Sequence, residues 1–349
     1  MSGSVRVGQL SFAHHHGHAW ARALRQSGRA EFVGVWDDDA SRGRKAADAY
    51  DVPFVANLDE LLGVCDAVGI TSETSAHVRL VEAASGAGAA ILCEKPLGLS
   101  RDDCVAIERA VESSGVYFMQ NLPKRYDPAH RALAEIVTTG ELGAPIVVRM
   151  RHGNFHFLDG SAAGTWFMDP ERSGRGALLD EGIHAVDYLS WLLGAPRTAS
   201  AALSVPDGST SDQVGVVVYA FASGSLAELT TGGALWAGEG SIEVHGTEGS
   251  AVLDGIDLTS SDFAPRPAVR LYRRGRDRGQ WEKLDETSRF GTKHYHEQGF
   301  HVFLEHLQSE REPVVGLFEA RRAMEMVFAA YESADSGEHV AVPAPWGAP

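Results

Sequence analysis

The sequence predicts two domains in series, a doubly wound α/β domain followed by an α+β domain with a mostly antiparallel sheet. Three observations carry this. The chain has 349 residues, more than one hydrophobic core holds comfortably when domains usually run to roughly 100 to 200 residues. From Val5 to about Met119, short apolar runs alternate with longer segments of helical period, as when strands are joined through crossover helices into a parallel sheet. Beyond about Thr139 the pattern changes to the period-two alternation of half-buried strands.

In the first part, Val5 to Leu10, Phe32 to Trp36, Ala67 to Ile70, Ala89 to Cys93 and Val116 to Met119 read as strands. Ala19 to Ser27, Ser41 to Tyr50, Leu58 to Leu62, Ser75 to Ala87 and Ser100 to Ser113 read as the helices between them, several with a Ser or Asp placed to cap the first turn. A further helix is expected from about Pro128 to Thr139. Leu226 to Thr230, Ser241 to His245 and Ser250 to Leu253 alternate as strands, with the turn Gly246-Thr247-Glu248-Gly249 between the last two. Pro206 to Asp212 and Arg273 to Lys293 read as exposed loops. A closing helix, Phe318 to Ser333, carries a buried stripe at Ala323, Met326, Val327 and Ala330.

Composition excludes several classes. A net charge of -16, with scattered Lys and Arg, repels a phosphate backbone, so no nucleic-acid partner is expected. No apolar run approaches a bilayer span, and the opening MSGSVRVG lacks the regions of a secretion signal. Three cysteines without CxxC spacing suit reduced thiols. The expectation is a cytoplasmic protein with no membrane partner.

In a doubly wound fold the nucleotide sits outside the carboxyl ends of the strands, with its pyrophosphate on a helix N-terminus reached through a Gly-rich turn. Here that turn runs from Gly8 to His18 as GQLSFAHHHGH, with Ser11 near the place of the first glycine and only Gly17 where a later one belongs. Ser11, Phe12 and His14 are its candidate cofactor contacts. Four histidines in five positions suggest metal ligands, but adjacent side chains at a helix start point in different directions and no carboxylate or Cys lies close in sequence. The expectation is therefore no metal, only an imidazole-rich loop facing cofactor or substrate. The second strand ends in Trp36-Asp37-Asp38-Asp39; Asp37 is placed to accept the adenosine ribose hydroxyls, and Asp38 and Asp39 to form a solvated capping turn. Three carboxylates repel a 2'-phosphate, which favours NAD over NADP despite nearby Arg42 and Arg44.

The fourth strand ends in Cys93-Glu94-Lys95-Pro96, and about 80 residues later stands Gly174-Arg175-Gly176-Ala177-Leu178-Leu179-Asp180-Glu181-Gly182-Ile183-His184-Ala185-Val186-Asp187. This pair of motifs resembles the glucose-fructose oxidoreductase, inositol dehydrogenase and rhizopine-catabolism family, Gfo/Idh/MocA. The likeness extends through Arg125-Tyr126-Asp127-Pro128, Gly140-Glu141-Leu142-Gly143, Trp166, Gly246-Thr247-Glu248-Gly249 and Glu332 to Gly337. The departures are the first turn and Arg175 within the glycine run.

The resemblance implies an NAD-binding Rossmann domain over residues 1–122 and a substrate-binding and oligomerisation domain over 123–349, built on a large open sheet that pairs with copies of itself into a homodimer or homotetramer. It implies an NAD(P)-dependent dehydrogenase acting on a secondary hydroxyl of a sugar, glycoside or cyclitol such as inositol. Lys95, Asp180 and His184 are then the catalytic set. Thr71, Glu73, Glu94, Lys95 and Gln120, at or beside strand ends, resemble cofactor contacts.

The residues themselves suit this chemistry. Lys95 follows a strand end, so it projects where a nicotinamide lies, and Pro96 aims it. If Leu179 onward is one helix, Asp180, His184 and Asp187 at i, i+4 and i+7 share a face. His184 has a natural pKa near working pH, and Asp180 orients its ring or holds a substrate hydroxyl; the alternative is a buried histidine satisfied by a carboxylate. Asp187 divides between substrate contact and a structural role, and Arg125 between a substrate oxygen and an acidic partner. His152, Asn154 and His156 alternate along an expected strand, sharing one face that reads sugar hydroxyls, with Trp166 walling the pocket. His294 and His296 have the same spacing. Two other readings stay open: transient oxidation that eliminates a glycosidic bond and restores the cofactor, and a non-catalytic NAD or sugar sensor.

Overall fold

The computed structural model describes residues 4–207, 209–236, 240–254, 268–276, 279–284 and 295–344. The chain divides into two compact units: Met1–Pro123 with Glu171–Gly174 and Lys293–Ala320, and Lys124–Pro170 with Arg175–Thr292 and Arg321–Pro349.

The first unit is the expected doubly wound domain. Its elements are β1 (Val5–Leu10), α1 (His16–Ser27), β2 (Ala30–Trp36), α2 (Ala40–Tyr50), α3 (Leu58–Leu62), β3 (Ala67–Ile70), α4 (His77–Gly86), β4 (Ala90–Cys93), α5 (Arg101–Ser114) and β5 (Phe118–Gln120). The strands pair in the order β2-β1-β3-β4-β5, parallel throughout. Every residue of β3 and β4 is buried, the apolar run of a strand covered on both faces. Caps set the helix starts. Asp39 accepts from the Ser41 and Arg42 amides to begin α2, the capping role expected of this acidic turn. Ser100 and Asp103 form a reciprocal capping box at α5.

The second unit contains α6 (Pro128–Thr138), β6 (Pro145–Gly153), α8 (Ala177–Asp180), α9 (Gly182–Leu193), β7 (Pro196–Ser204), β8 (Val214–Phe221), β9 (Leu226–Gly232), β10 (Ser241–Gly246), β11 (Gly249–Asp254), β12 (Ala268–Arg273), β13 (Glu282–Lys283) and β14 (Val340–Ala341). The short α7 (Pro170–Ser173) leads into the Gly174–Gly176 turn. Nine strands form one sheet in the order β13-β12-β11-β10-β6-β9-β8-β7-β14. All pairings are antiparallel except β6 with β9, which makes the sheet mostly antiparallel. α9 packs on β6 and β9 and is buried along almost its whole length.

Two helices lie between β13 and β14 in sequence. α10 (Tyr295–Gln308), absent from the expected helices, buries Phe300, Phe303 and Leu304 and packs on α1 within the first unit. α11 (Leu317–Ser336) buries Ala323, Met326, Val327 and Ala330, the predicted stripe. β7, β8 and β12 are likewise absent from the expected strands; β8, with the sequence VGVVVYAF, is buried on alternate residues only. Of the expected loop from Arg273 to Lys293, residues 277–278 and 285–293 lie outside the described residues, as does His294; β13 falls inside it.

Candidate active site

Strand order in the first unit reverses between β1 and β3, and the turn after β1 occupies this switch point. Thr71, just past β3, is fully buried. Its hydroxyl donates to the Ser11 carbonyl at 2.7 Å and accepts from Gln9 Nε2 at 2.8 Å, and its carbonyl accepts from the His14 amide at 2.9 Å. Ser11 has φ 67°, the left-handed region that favours glycine, so the turn keeps the glycine conformation without the glycine. Gly17 is required sterically: a Cβ there would stand 2.5 Å from Thr71 Oγ1, the close helix-to-strand approach of the last fingerprint glycine.

Asp37, at the end of β2, is buried and accepts from the Phe12 amide at 2.8 Å, from the Asp39 amide at 3.0 Å and from Arg42 on both oxygens. Arg42 also reaches Asp38 at 2.8 Å and lies 3.7 Å from Glu73. Glu73 in turn pairs with Arg172. Nothing in sequence adjacency linked Arg172 to this strand end. Phe12 is buried against His18 and Tyr50, with ring centroids 5.0 and 6.0 Å away.

Glu94 organises the end of β4. Fully buried, it accepts from the Lys95 amide at 2.9 Å and from Asn121 Nδ2 at 2.8 Å, and it bonds His16 Nδ1 at 2.8 Å. Lys95 is also buried, and the Lys95–Pro96 peptide is cis. His77 Nδ1 donates to the Pro96 carbonyl at 2.9 Å; burial pulls this imidazole down to about 4, so it is neutral at ordinary pH. Gln120 Oε1 is buried with no hydrogen-bond partner among the described residues, an acceptor that an amide donor of a bound group would satisfy. With the switch-point turn and the buried carboxylate beside it, these residues fit a dinucleotide.

In the second unit, His152 closes β6, fully buried, with Nε2 3.4 Å from Glu181 Oε2. Its ring meets that of buried His184 edge-on, with centroids 5.5 Å apart. His184 belongs to the first turn of α9, and α8 and α9 are separated at Glu181. Gly176, at φ 140°, begins α8, and a Cβ there would lie 2.4 Å from the Asp212 carbonyl. Asp212 carries the α8 start, accepting from the Leu178 amide at 2.7 Å and the Tyr331 hydroxyl at 2.8 Å. Arg175, the departure within the glycine run, points to α11, pairing with Asp335 at 2.5 and 2.7 Å and lying over the Tyr331 ring.

Several sequence expectations change here. Asp180, His184 and Asp187 do not share one helix: Asp180 ends α8, and the interruption at Glu181 intervenes. Glu181, outside the expected site, is instead the carboxylate beside His152. Arg125 and Asp187 meet each other, both buried, at 2.7 to 3.1 Å, with the guanidinium also over Trp191. Of the three expected readouts of alternating register, only His152 lies in β6; Asn154 and His156 follow it, beyond the strand's end at Gly153, with the Asn154 amide bonded to the Gly232 carbonyl at the end of β9. His156 bonds Ser161 at 2.9 Å, and Trp166 is buried against Phe167. The imidazoles of His14, His15 and His16 do converge, contrary to the expectation that adjacent residues diverge, since His14 and His15 precede the helix that His16 starts. His296 stacks on His16 at 3.5 Å.

A parallel doubly wound sheet with these strand-end residues, joined in one chain to a second α+β unit, defines an NAD-binding oxidoreductase class. Residues 6–122 match the family model described as oxidoreductase family, NAD-binding Rossmann fold, and residues 130–252 match the GFO/IDH/MocA C-terminal domain. The chain belongs to the Gfo/Idh/MocA oxidoreductase family, whose named relatives include sugar and inositol dehydrogenases. It is 30% identical over 236 residues to 1,5-anhydro-D-fructose reductase of Ensifer adhaerens, covering 66% of this chain and 70% of the relative. It is 29% identical over 284 residues to inositol 2-dehydrogenase of Rhizobium meliloti, covering 77% and 83%. Among solved structures, levoglucosan dehydrogenase in complex with NADH and levoglucosan superposes with a TM-score of 0.85 at 19% identity, over 98% of this chain and 100% of the other. An NAD binding oxidoreductase from Klebsiella pneumoniae gives 0.84 at 20%, over 97% and 99%. At these identities the structural likeness shows the fold. No helix among the described residues is long and apolar enough to cross a membrane.

Proposed function

We propose that this protein is an NAD-dependent dehydrogenase that moves a hydride between nicotinamide and a secondary hydroxyl of a neutral sugar, glycoside or cyclitol. The observation that carries the reading is Lys95, buried at the carboxyl end of β4 with its backbone held by Glu94 and the following Pro96 carbonyl held by His77. The bound dinucleotide supplies the hydride acceptor. The chain's part is to hold the substrate, exclude water and take the hydroxyl proton, the roles we give to Lys95, Asp180 and His184. His152 and Glu181 orient His184; Asn154, His156 and Trp166 are substrate contacts in this reading. Arg125 and Asp187, paired with one another, hold α9 to the segment before α6.

The use of the nearby cations supports reading the cofactor as NAD rather than NADP. Arg42 is paired with Asp37 and Asp38, and Arg44 lies over the Phe54 ring, so a 2'-phosphate meets carboxylate rather than available guanidinium. Ser11, Phe12, His14, Thr71, Glu73, Glu94 and Gln120 complete the cofactor site of this proposal. Cytoplasmic location and a homodimer or homotetramer remain part of the same reading.

The test is a panel of inositols, pyranoses and glycosides with NAD and with NADP, read by the appearance of reduced nicotinamide. Turnover with NAD is expected, and Lys95→Ala should lower kcat/KM by about 10²- to 10⁴-fold with NADH affinity retained. Silence across the panel with dinucleotide bound, or release of aglycone with no net cofactor change, would overturn it.

A further inference from the structure

His14, His15 and His16 each bring a ring nitrogen within 4.8 Å of the others. Their ring centroids are 4.1, 4.5 and 4.7 Å apart, so the three imidazoles form one mutually touching cluster in the turn between β1 and α1. His14 and His16 are buried, whereas His15 is exposed and gives the cluster an opening to solvent. The outer contacts are equally specific. Glu94, itself fully buried, sits 2.8 Å from His16 Nδ1, and a carboxylate on one imidazole nitrogen fixes the ring and makes the other nitrogen a better donor to a metal. A fourth imidazole, His296, stacks on His16.

We propose that this cluster is a binding site for a borderline divalent transition ion, Zn²⁺ first, with His14, His15 and His16 as ligands and Glu94 as the carboxylate behind His16. Imidazole sets of this kind select zinc, copper, nickel and cobalt over magnesium and calcium, which take oxygen ligands. Zinc bonds to imidazole nitrogen are about 2.0–2.1 Å long. The nitrogens must therefore draw together by an ångström or so, a movement within reach of side-chain rotation. Two features oppose the ion: the positive end of α1 and the nearby Lys95 ammonium, which also acts on His14 and His16. They limit affinity and leave the donor set unchanged. His14 and Glu94 also belong to the cofactor site proposed above, but metal binding is read on the chain without dinucleotide or substrate, so its failure is distinguishable from failure of the dehydrogenase reading.

The experiment uses the full chain without an affinity tag, stripped with chelator and titrated with Co²⁺, then with Zn²⁺ in competition. One Co²⁺ per chain with the intense visible absorption of a low-coordinate imidazole site, displaced by one Zn²⁺, is the expected result. His15→Ala, at an exposed position, should weaken Co²⁺ binding at least tenfold while far-UV dichroism and NADH affinity stay as in the parent, and Glu94→Gln should weaken it by a similar order. No bound Co²⁺ at micromolar metal, or His15→Ala binding as tightly as the parent, would overturn the proposal; the second result would place the ion elsewhere on the chain.

Discussion

Arg42 closes on Asp37 with both prongs, Nε at 2.9 Å from Oδ2 and Nη2 at 2.7 Å from Oδ1, at the end of the second strand of a parallel sheet. The carboxylate proposed for the adenosine ribose is thus held by an arginine five residues on. Ribose binding must exchange part of that pairing for hydroxyl hydrogen bonds. Asp37→Ser should raise the Kd for NADH by roughly tenfold or more, from the loss of hydrogen bonds to a charged acceptor at about 1.5–3 kcal/mol, and should improve NADPH because Arg42 is released. Fluorescence titration with both reduced dinucleotides checks this; an unchanged NADH to NADPH ratio would remove Asp37 from the site.

The Arg125 and Asp187 pair is buried on both sides. Removing one partner leaves the other charge stranded, so Arg125→Ala should destabilise the second unit by about 3–5 kcal/mol. Arg125→Met with Asp187→Leu should recover much of that loss. Denaturant unfolding of the single and double variants measures the coupling. If the pair serves substrate instead, the double variant loses activity in the substrate-dependent terms with stability restored.

Ser11 adopts a left-handed conformation that costs a non-glycine residue roughly 1–2 kcal/mol. Ser11→Gly removes that cost but also the hydroxyl that accepts from the Ala13 amide at 3.2 Å. We expect stability within about 1 kcal/mol of the parent and retained NADH binding. Ser11→Val should lower both, since a β-branched residue tolerates this region least.

His77 gives the first unit a defined acid response. Its folded pKa of about 4 lies below the ordinary 6.5, so above pH 6.5 it is neutral folded and unfolded alike and costs nothing. As pH falls through this interval the unfolded chain takes a proton that the folded chain refuses, and stability drops, levelling off below about pH 4. The full loss is about 3 kcal/mol. Urea unfolding between pH 7 and pH 4 should show the decline, and His77→Gln should make it shallower. Buried His14 and His16 push in the same direction, so the slope is reduced rather than abolished.

Much of the first unit was legible because its signals are local. The apolar runs of β1, β3 and β4 and the caps at Asp39 and Ser100 act over a few residues, and a parallel sheet covered on both faces needs no alternation to be seen. The second unit was less legible: β7 and β8 lie on a sheet with one face less covered, where Val216 and Val218 are exposed and the polar alternation is blurred. α10, beginning at Tyr295, belongs by packing to a unit whose last strand ends at Gln120, a relation no local window contains.

The sequence by itself determined the strand-end lysine, the motif pair that marks the family and the stripe of the closing helix, because each depends on residue type and short spacing. Only the tertiary structure decided the partners. It gave Asp37 to Arg42, Arg125 to Asp187 and Glu181 to His152, and it gathered three neighbouring imidazoles over a carboxylate 78 residues away from His16. The reason is physical. A buried charge or imidazole must find a hydrogen-bonding partner wherever the fold brings one, and that choice is made by distance in space rather than by position along the chain.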